Sequence, residues 1–179
     1  MINQLSENIS AALVKNFSDQ MPPLSRVKYS IKLLITNLLP VLLLILCVVI
    51  TGGLGHYLKA IIAFCLLRQV SGGYHIKNAE LCVVASTGII YFIANYSYLF
   101  VGYDSLIKAG SLILCLLFSP SGIKDSTRVD SKYHIAYKLI SVLLIVSSYL
   151  INDITINLAF FVQSLLLIRL KGGEKSYEK

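Results

Sequence analysis

The sequence predicts an all-α, polytopic membrane protein, with six transmembrane helices behind an N-terminal amphipathic helix. Three observations carry that prediction. Hydrophobic residues make up 56% of the 179 residues and charged residues only 14%, against about 25% charged in a typical soluble domain. The mean hydropathy is +0.73. The apolar residues also fall into six runs, each near the length that a helix needs to cross about 30 Å of hydrocarbon. So few charges cannot cover a globule of this size with a water-compatible surface. That sets aside an ordinary soluble enzyme, and the apolar content sets aside a disordered chain.

The elements follow in chain order. Ile2, Leu5, Ile9, Ala12, Leu13 and Phe17 recur at helical spacing, with Asn, Ser, Glu and Lys between them. This predicts an amphipathic helix over 1–20, ending before Pro22-Pro23 and lying on the membrane surface. The competing arrangement packs it against the protein's own loops. The apolar runs are 31–50, 54–70, 81–101, 106–119, 135–151 and 154–170. The second and fourth are short or polar-edged. Pro40 lies inside the first run, where it is tolerable and kinks the helix. That run is no signal peptide: it begins too late, lacks a small-residue cleavage site and precedes further spans. The expected organisation is one integral membrane domain over 1–179, with the interfacial helix at 1–20 and a six-helix bundle over 31–170.

Charge position sets the orientation. Lys plus Arg number 16 and Asp plus Glu 9, a net +7. In a soluble chain that excess suggests nucleic acid; in an apolar one it marks cytoplasmic loops. With six spans and a cytoplasmic N-terminus, Lys15, Arg26, Lys28 and Lys32 fall inside. So do Arg68 and Lys77, then Lys124, Arg128, Lys132 and Lys138, and finally Arg169, Lys171, Lys175 and Lys179. Only Lys59 and Lys108 fall outside. The asymmetry predicts both termini in the cytoplasm and removes the need for a nucleic-acid partner.

Of the four cysteines, Cys47, Cys65 and Cys115 sit within apolar runs and read as small hydrophobes. No Cys/His spacing fits a zinc site, and no metal or cofactor is implied. Cys82 stands apart, near the cytoplasmic start of the third run and after the polar stretch holding His75, Lys77, Asn78 and Glu80. A helix N-terminus favours a thiolate, and a nearby imidazole favours it further. His75 precedes Cys82 by seven residues, about 10 Å along one continuous helix, too far for direct proton transfer. A turn at Ser71-Gly72-Gly73 would let the chain fold back, because glycine admits positive φ. Spacing alone leaves two readings open: a Cys–His nucleophilic pair, or a loop histidine beside a buried cysteine. His56, beside Tyr57, reads as interfacial, and His134 has no evident partner. Arg68 either snorkels to head groups or binds an anion. Gly52-Gly53-Leu54-Gly55 reads as a tight external turn. The spans carry no Asp or Glu at their middles, which argues against an ion-coupled carrier. A non-catalytic transporter of a peptide or lipid stays as the second reading.

Arg68-Gln69-Val70-Ser71-Gly72-Gly73-Tyr74-His75, six residues and then Cys82 together resemble the accessory gene regulator B (AgrB) family, membrane cysteine endopeptidases of Gram-positive peptide quorum sensing. The resemblance extends to length, span count, amphipathic N-terminus, the basic fourth-to-fifth loop and Phe118-Ser119-Pro120. It departs at the family's lysine-proline element, since 124–132 holds no proline. The resemblance implies Cys82 as nucleophile and His75 as general base. The implied substrate is a small pro-peptide with an amphipathic leader and an acidic C-terminal tail, cleaved through an acyl-enzyme thioester and cyclised to a thiolactone or lactone. Arg68, Gly72, Gly73, Lys77, Lys124, Arg128 and Lys132 are the expected substrate-binding residues. The resemblance also implies a homodimer in the cytoplasmic membrane of a Gram-positive bacterium. Amides near Gly72-Gly73 or at the start of the third run are candidate oxyanion donors.

Overall fold

The computed structural model describes residues 2–17, 22–73, 78–121 and 134–168. Among these residues the chain is helical. The helices are α1 (Ile2–Asn16), α2 (Leu24–Thr51), α3 (Leu54–Ser71) and α4 (Ala79–Tyr96), followed by a 3-10 helix (Ser97–Tyr103), α5 (Asp104–Phe118), α6 (His134–Ile151) and α7 (Ile154–Leu165). The one strand-like feature among the described residues is an isolated bridge between Gly72 and Ser121. A helix forms on each apolar run, because each run is rich in Leu and Ile and free of interior proline other than Pro40.

Length and apolarity separate the helices. Leu24–Thr51, Ala79–Phe118 and His134–Ile151 are long and apolar enough to cross a membrane, whereas Ile154–Leu165 is apolar but shorter. α7 has 12 residues, or about 18 Å against about 30 Å of hydrocarbon. α3 carries His56 and Lys59 near its start and Arg68 and Gln69 near its end, which lowers its hydropathy. Residues 81–101 and 106–119 join into one helical stretch of 40 residues through the 3-10 segment.

The chain forms two compact units. The first comprises α1, α2 and α4 through Tyr91. Here α1 lies against α2 on a stripe of Ile2, Ser6 and Ser10, spaced one turn apart. The serine hydroxyls donate back to the carbonyls of Asn3 and Glu7, at 2.8 and 2.9 Å, so small satisfied side chains allow a close approach. Glu7 pairs with Lys28 at 2.7 Å. Ile2 packs with Ala79 and Val83 against Ile35 and Leu39. The apolar residues Leu5 and Ile9 of α1, and Phe17 just after it, are exposed. α2 likewise buries only Val27, Pro40 and Leu44 and exposes Leu38, Leu42, Ile45, Leu46, Val49 and Ile50. A contiguous surface of that kind suits an apolar solvent. α2 ends where Gly52 takes a φ of 74° and donates its N–H to Val48 O at 2.8 Å, the left-handed stop that glycine permits.

The second unit comprises α3, α4 from Phe92, the 3-10 helix, α5, α6 and α7. α3 buries Tyr57, Ala60, Phe64, Leu67 and Ser71, a helical stripe. α7 is buried nearly all round and carries Thr155, Asn157, Gln163 and Ser164 inward. α5 approaches α7 closely at Gly110, where an added Cβ would lie 2.9 Å from Phe161 Cε2. A polar layer forms where α3, α5 and α7 begin and α6 ends. Lys108 is 2.7 Å from Asp104 and 2.6 Å from Asn152, and lies 5.4 Å over the Tyr149 ring. Asn157 donates to Asp104 at 2.6 Å. Thr155 bonds both His56 and Ser97. The two basic residues expected outside, Lys59 and Lys108, thus share one end of this unit, each beside a carboxylate.

Asp153 caps α7, accepting from the N–H groups of Thr155 and Ile156, and pairs with Lys59. Partial burial pushes its carboxyl up. The Lys59 hydrogen bond, the two amides and the Lys59 charge outweigh that, and the carboxyl sits below the usual aspartate range. A depressed folded value means that the stabilisation is complete above the unfolded value, about 3.9, and is lost as the pH falls through the folded one. Asp153→Ala should therefore cost about 1 kcal/mol at neutral pH. The difference from wild type should narrow below about pH 4, as thermal melts in detergent across that range would record.

Candidate active site

Cys82 lies in the first turn of α4, half-buried. Asn78 starts that helix. Its side-chain oxygen accepts from Glu80 N–H at 3.0 Å, and its carbonyl accepts from Cys82 N–H at 3.0 Å. A capped helix N-terminus carries partial positive charge, which stabilises an anion forming beside it. Glu80 shares the turn, points to solvent and accepts from Ile2 N–H at 3.4 Å. A cleft of about 390 Å³ opens at this end of α4, lined by Ile2, Asn3, Asn78, Ala79 and Glu80. Cys65 is exposed and Cys47 half-buried, both in apolar helices, while Cys115 is fully buried.

In the second unit, the end of α3 runs into a glycine turn. Gly72 has a φ of 74° and Gly73 of 137°, both in the region that side chains avoid. Gly72 N–H donates to Arg68 O at 3.0 Å, and Gly73 N–H to Ser121 O at 3.0 Å. Both amides are therefore engaged within the turn. Ser121 N–H returns a bond to Ser71 O at 2.9 Å. Gln163 of α7 donates to Gly72 O at 2.8 Å and accepts from Arg68 at 3.5 Å. The Arg68 guanidinium lies 5.8 Å over the Phe64 ring.

The structure brings Arg68, Gly72 and Gly73 together around Gln163, a residue that sequence reasoning missed. A signal was present: a glutamine deep in an apolar run, where a polar side chain implies a partner. Asn78 and Ser121 were missed as well. His75, Lys77, Lys124, Arg128 and Lys132 lie outside the described residues. His134 opens α6 half-buried, and its Nε2 has no hydrogen-bond partner among the described residues.

These features define an α-helical membrane protein with one half-buried cysteine at a capped helix start and a clamped glycine turn. No curated protein and no solved structure matches the chain. A family model does match, and the chain belongs to that family: accessory gene regulator B (AgrB), matched over residues 3–171. Membership supports a role in accessory gene regulator peptide processing and implies a peptide substrate.

Proposed function

We propose that this chain is a membrane-embedded cysteine endopeptidase that removes the C-terminal tail of a small quorum-sensing pro-peptide and promotes its cyclisation. The observation that carries the reading is Cys82, half-buried in the first turn of a helix capped by Asn78. Family membership supplies the peptide substrate.

The chemistry runs in two transfers. His75 takes the thiol proton, and the Cys82 sulfur attacks the carbonyl carbon of the peptide bond before the tail. The tetrahedral oxyanion collapses, the C–N bond breaks, and the tail leaves as an amine with the proton from His75. The peptide remains as a thioester on Cys82. A cysteine or serine within the peptide then gives its proton to His75 and attacks that thioester. A thiolactone or lactone forms, and the Cys82 sulfur leaves and recovers the proton. A thioester conserves acyl reactivity, so exclusion of water favours ring closure over hydrolysis.

In this proposal the six apolar helices after α1 span the cytoplasmic membrane of a Gram-positive cell, with both termini in the cytoplasm. The exposed Leu5 and Ile9 of α1, with Phe17 after it, enter the lipid interface. The positive charges of Lys77, Lys124, Arg128 and Lys132 attract the acidic tail. The protein acts as a homodimer.

The test is to trap the thioester. The full chain in vesicles is mixed with its cognate pro-peptide and quenched in acid. Mass spectrometry should find the tail-free peptide bonded to Cys82 and released by hydroxylamine. Cleavage without any adduct on Cys82 would sink the covalent mechanism.

A further inference from the structure

We propose that the 3-10 helix Ser97–Tyr103 is an interfacial anchor: Tyr98 and Tyr103 bind the head-group layer of the bilayer, and the chain leaves the hydrocarbon there. The inference rests on the membrane-spanning part of the reading above and is independent of the peptidase chemistry.

Most of this segment belongs to the apolar run 81–101, yet its backbone does not continue the α-helix. The seven residues Ser-Tyr-Leu-Phe-Val-Gly-Tyr take the tighter 3-10 winding. Three aromatic rings, a β-branched Val101 and Gly102 favour an α-helix less than the Leu-rich stretches around them. Runs of 3-10 helix longer than about 3–4 residues are uncommon, because their hydrogen bonds are poorer. Hydrocarbon offers no other partner to such a backbone, whereas the interface does.

The side chains divide in the same sense. At about three residues per turn, Ser97 and Phe100 share one side. Ser97 is buried and bonds Thr155 at 3.0 Å, and Phe100 meets the edge of Phe92 at 6.2 Å. Leu99 and Val101 are exposed, as are Tyr98 and Tyr103 at 64% and 61%. No hydrogen bond joins either tyrosine hydroxyl to another described residue. A phenol needs an apolar place for its ring and water or a head group for its hydroxyl, and the membrane interface supplies both.

The packing of this unit fixes the level. Thr155, which holds Ser97, also bonds His56 at 3.2 Å. Two residues before Thr155, Asp153 pairs with Lys59, whose side chain is 46% exposed. An ammonium that open is expensive to place in hydrocarbon. On the other side of Tyr103, α5 exposes Leu106, Ile113 and Leu117. The two tyrosines therefore stand between a charged level and an apolar wall, which is where aromatic residues anchor a span. The apolar wall of α5 beside them selects lipid as the partner.

The chain contains no tryptophan, so a single introduced one reports its own depth. Tyr98→Trp, Tyr103→Trp and, as a deep reference, Ile113→Trp are made in the full chain and placed in phosphatidylglycerol–phosphatidylcholine vesicles. Ile113 lies about 14 Å along α5 from its start, near the middle of about 30 Å of hydrocarbon. The lipid chains carry bromine, which quenches tryptophan on contact, either near the head group or near the chain end. The expected result is that Tyr98→Trp and Tyr103→Trp lose more emission to the shallow bromine, and Ile113→Trp more to the deep one. Equal or greater loss to the deep bromine at either tyrosine position overturns the proposal. So does emission at either position that neither bromine reduces, which means that protein covers the segment. An Ile113→Trp protein untouched by the deep bromine instead overturns the spanning of α5, and the anchor with it.

Discussion

Cys82→Ala should leave no tail cleavage above background, whereas Ala at Cys47, Cys65 or Cys115 should leave most of it. The four positions separate by environment. Cys47, Cys65 and Cys115 sit within apolar helices, each more than two turns past the helix start. Cys82 stands four residues past Asn78, at the end of α4 where the unpaired N–H groups of a helix point. Alanine removes the atom that forms the thioester, so no rearrangement of the site restores the covalent route. His75→Ala should lower turnover by about 10²- to 10⁴-fold, the usual worth of a general base, while Cys82 still forms some thioester. The assay is tail release from the pro-peptide, followed by mass spectrometry, on protein shown by its melting curve to be folded. Full cleavage by Cys82→Ala would remove the endopeptidase reading. Equal losses at Cys65 and Cys82 would mean that the assay reports stability.

The helices were legible because their signals are local. Apolar runs of about 20 residues leave the backbone few alternatives to a helix, and one formed on every run. The N-terminal helix was legible for the same reason, but its facing was not. A period of 3.6 marks an apolar side without saying whether protein or lipid covers it. In α1 the protein takes the Ile2, Ser6 and Ser10 stripe and leaves Leu5, Ile9 and Phe17 outside. Arg68 shows the other limit. Its sequence position allowed snorkelling or anion binding, and neither reading pointed to the contacts the guanidinium makes with Gln163 and Phe64. That partner lies 95 residues away, and no local pattern joins them. The glycine turn was legible as a turn from Gly72-Gly73. What holds it was not, because Gln163 and Ser121 arrive from α7 and from the end of α5.

Lys108→Met should cost about 3–5 kcal/mol of stability, the largest effect expected of any single change away from the catalytic groups. The reason lies in what the ammonium leaves behind. Lys108 is 6% exposed and meets Asp104, Asn152 and the face of Tyr149. Without it the Asp104 carboxylate, whose side chain is 27% exposed, keeps only the Asn157 amide among the described contacts. The ion pair between Glu7 and Lys28 provides the contrast. Its side chains are 62% and 39% exposed, so Lys28→Met should cost under about 1 kcal/mol. Thermal melts in one detergent should separate the two variants clearly. Asp104→Asn added to Lys108→Met should recover part of the loss, because it removes the stranded charge, and the non-additivity should reach about 0.5–3 kcal/mol. Tail cleavage per folded molecule should stay near wild type, since Lys108 lies at the opposite end of the second unit from Arg68 and the glycine turn. A Lys108→Met protein that melts with wild type would show that water already reaches this layer, and the polar network would then count as surface.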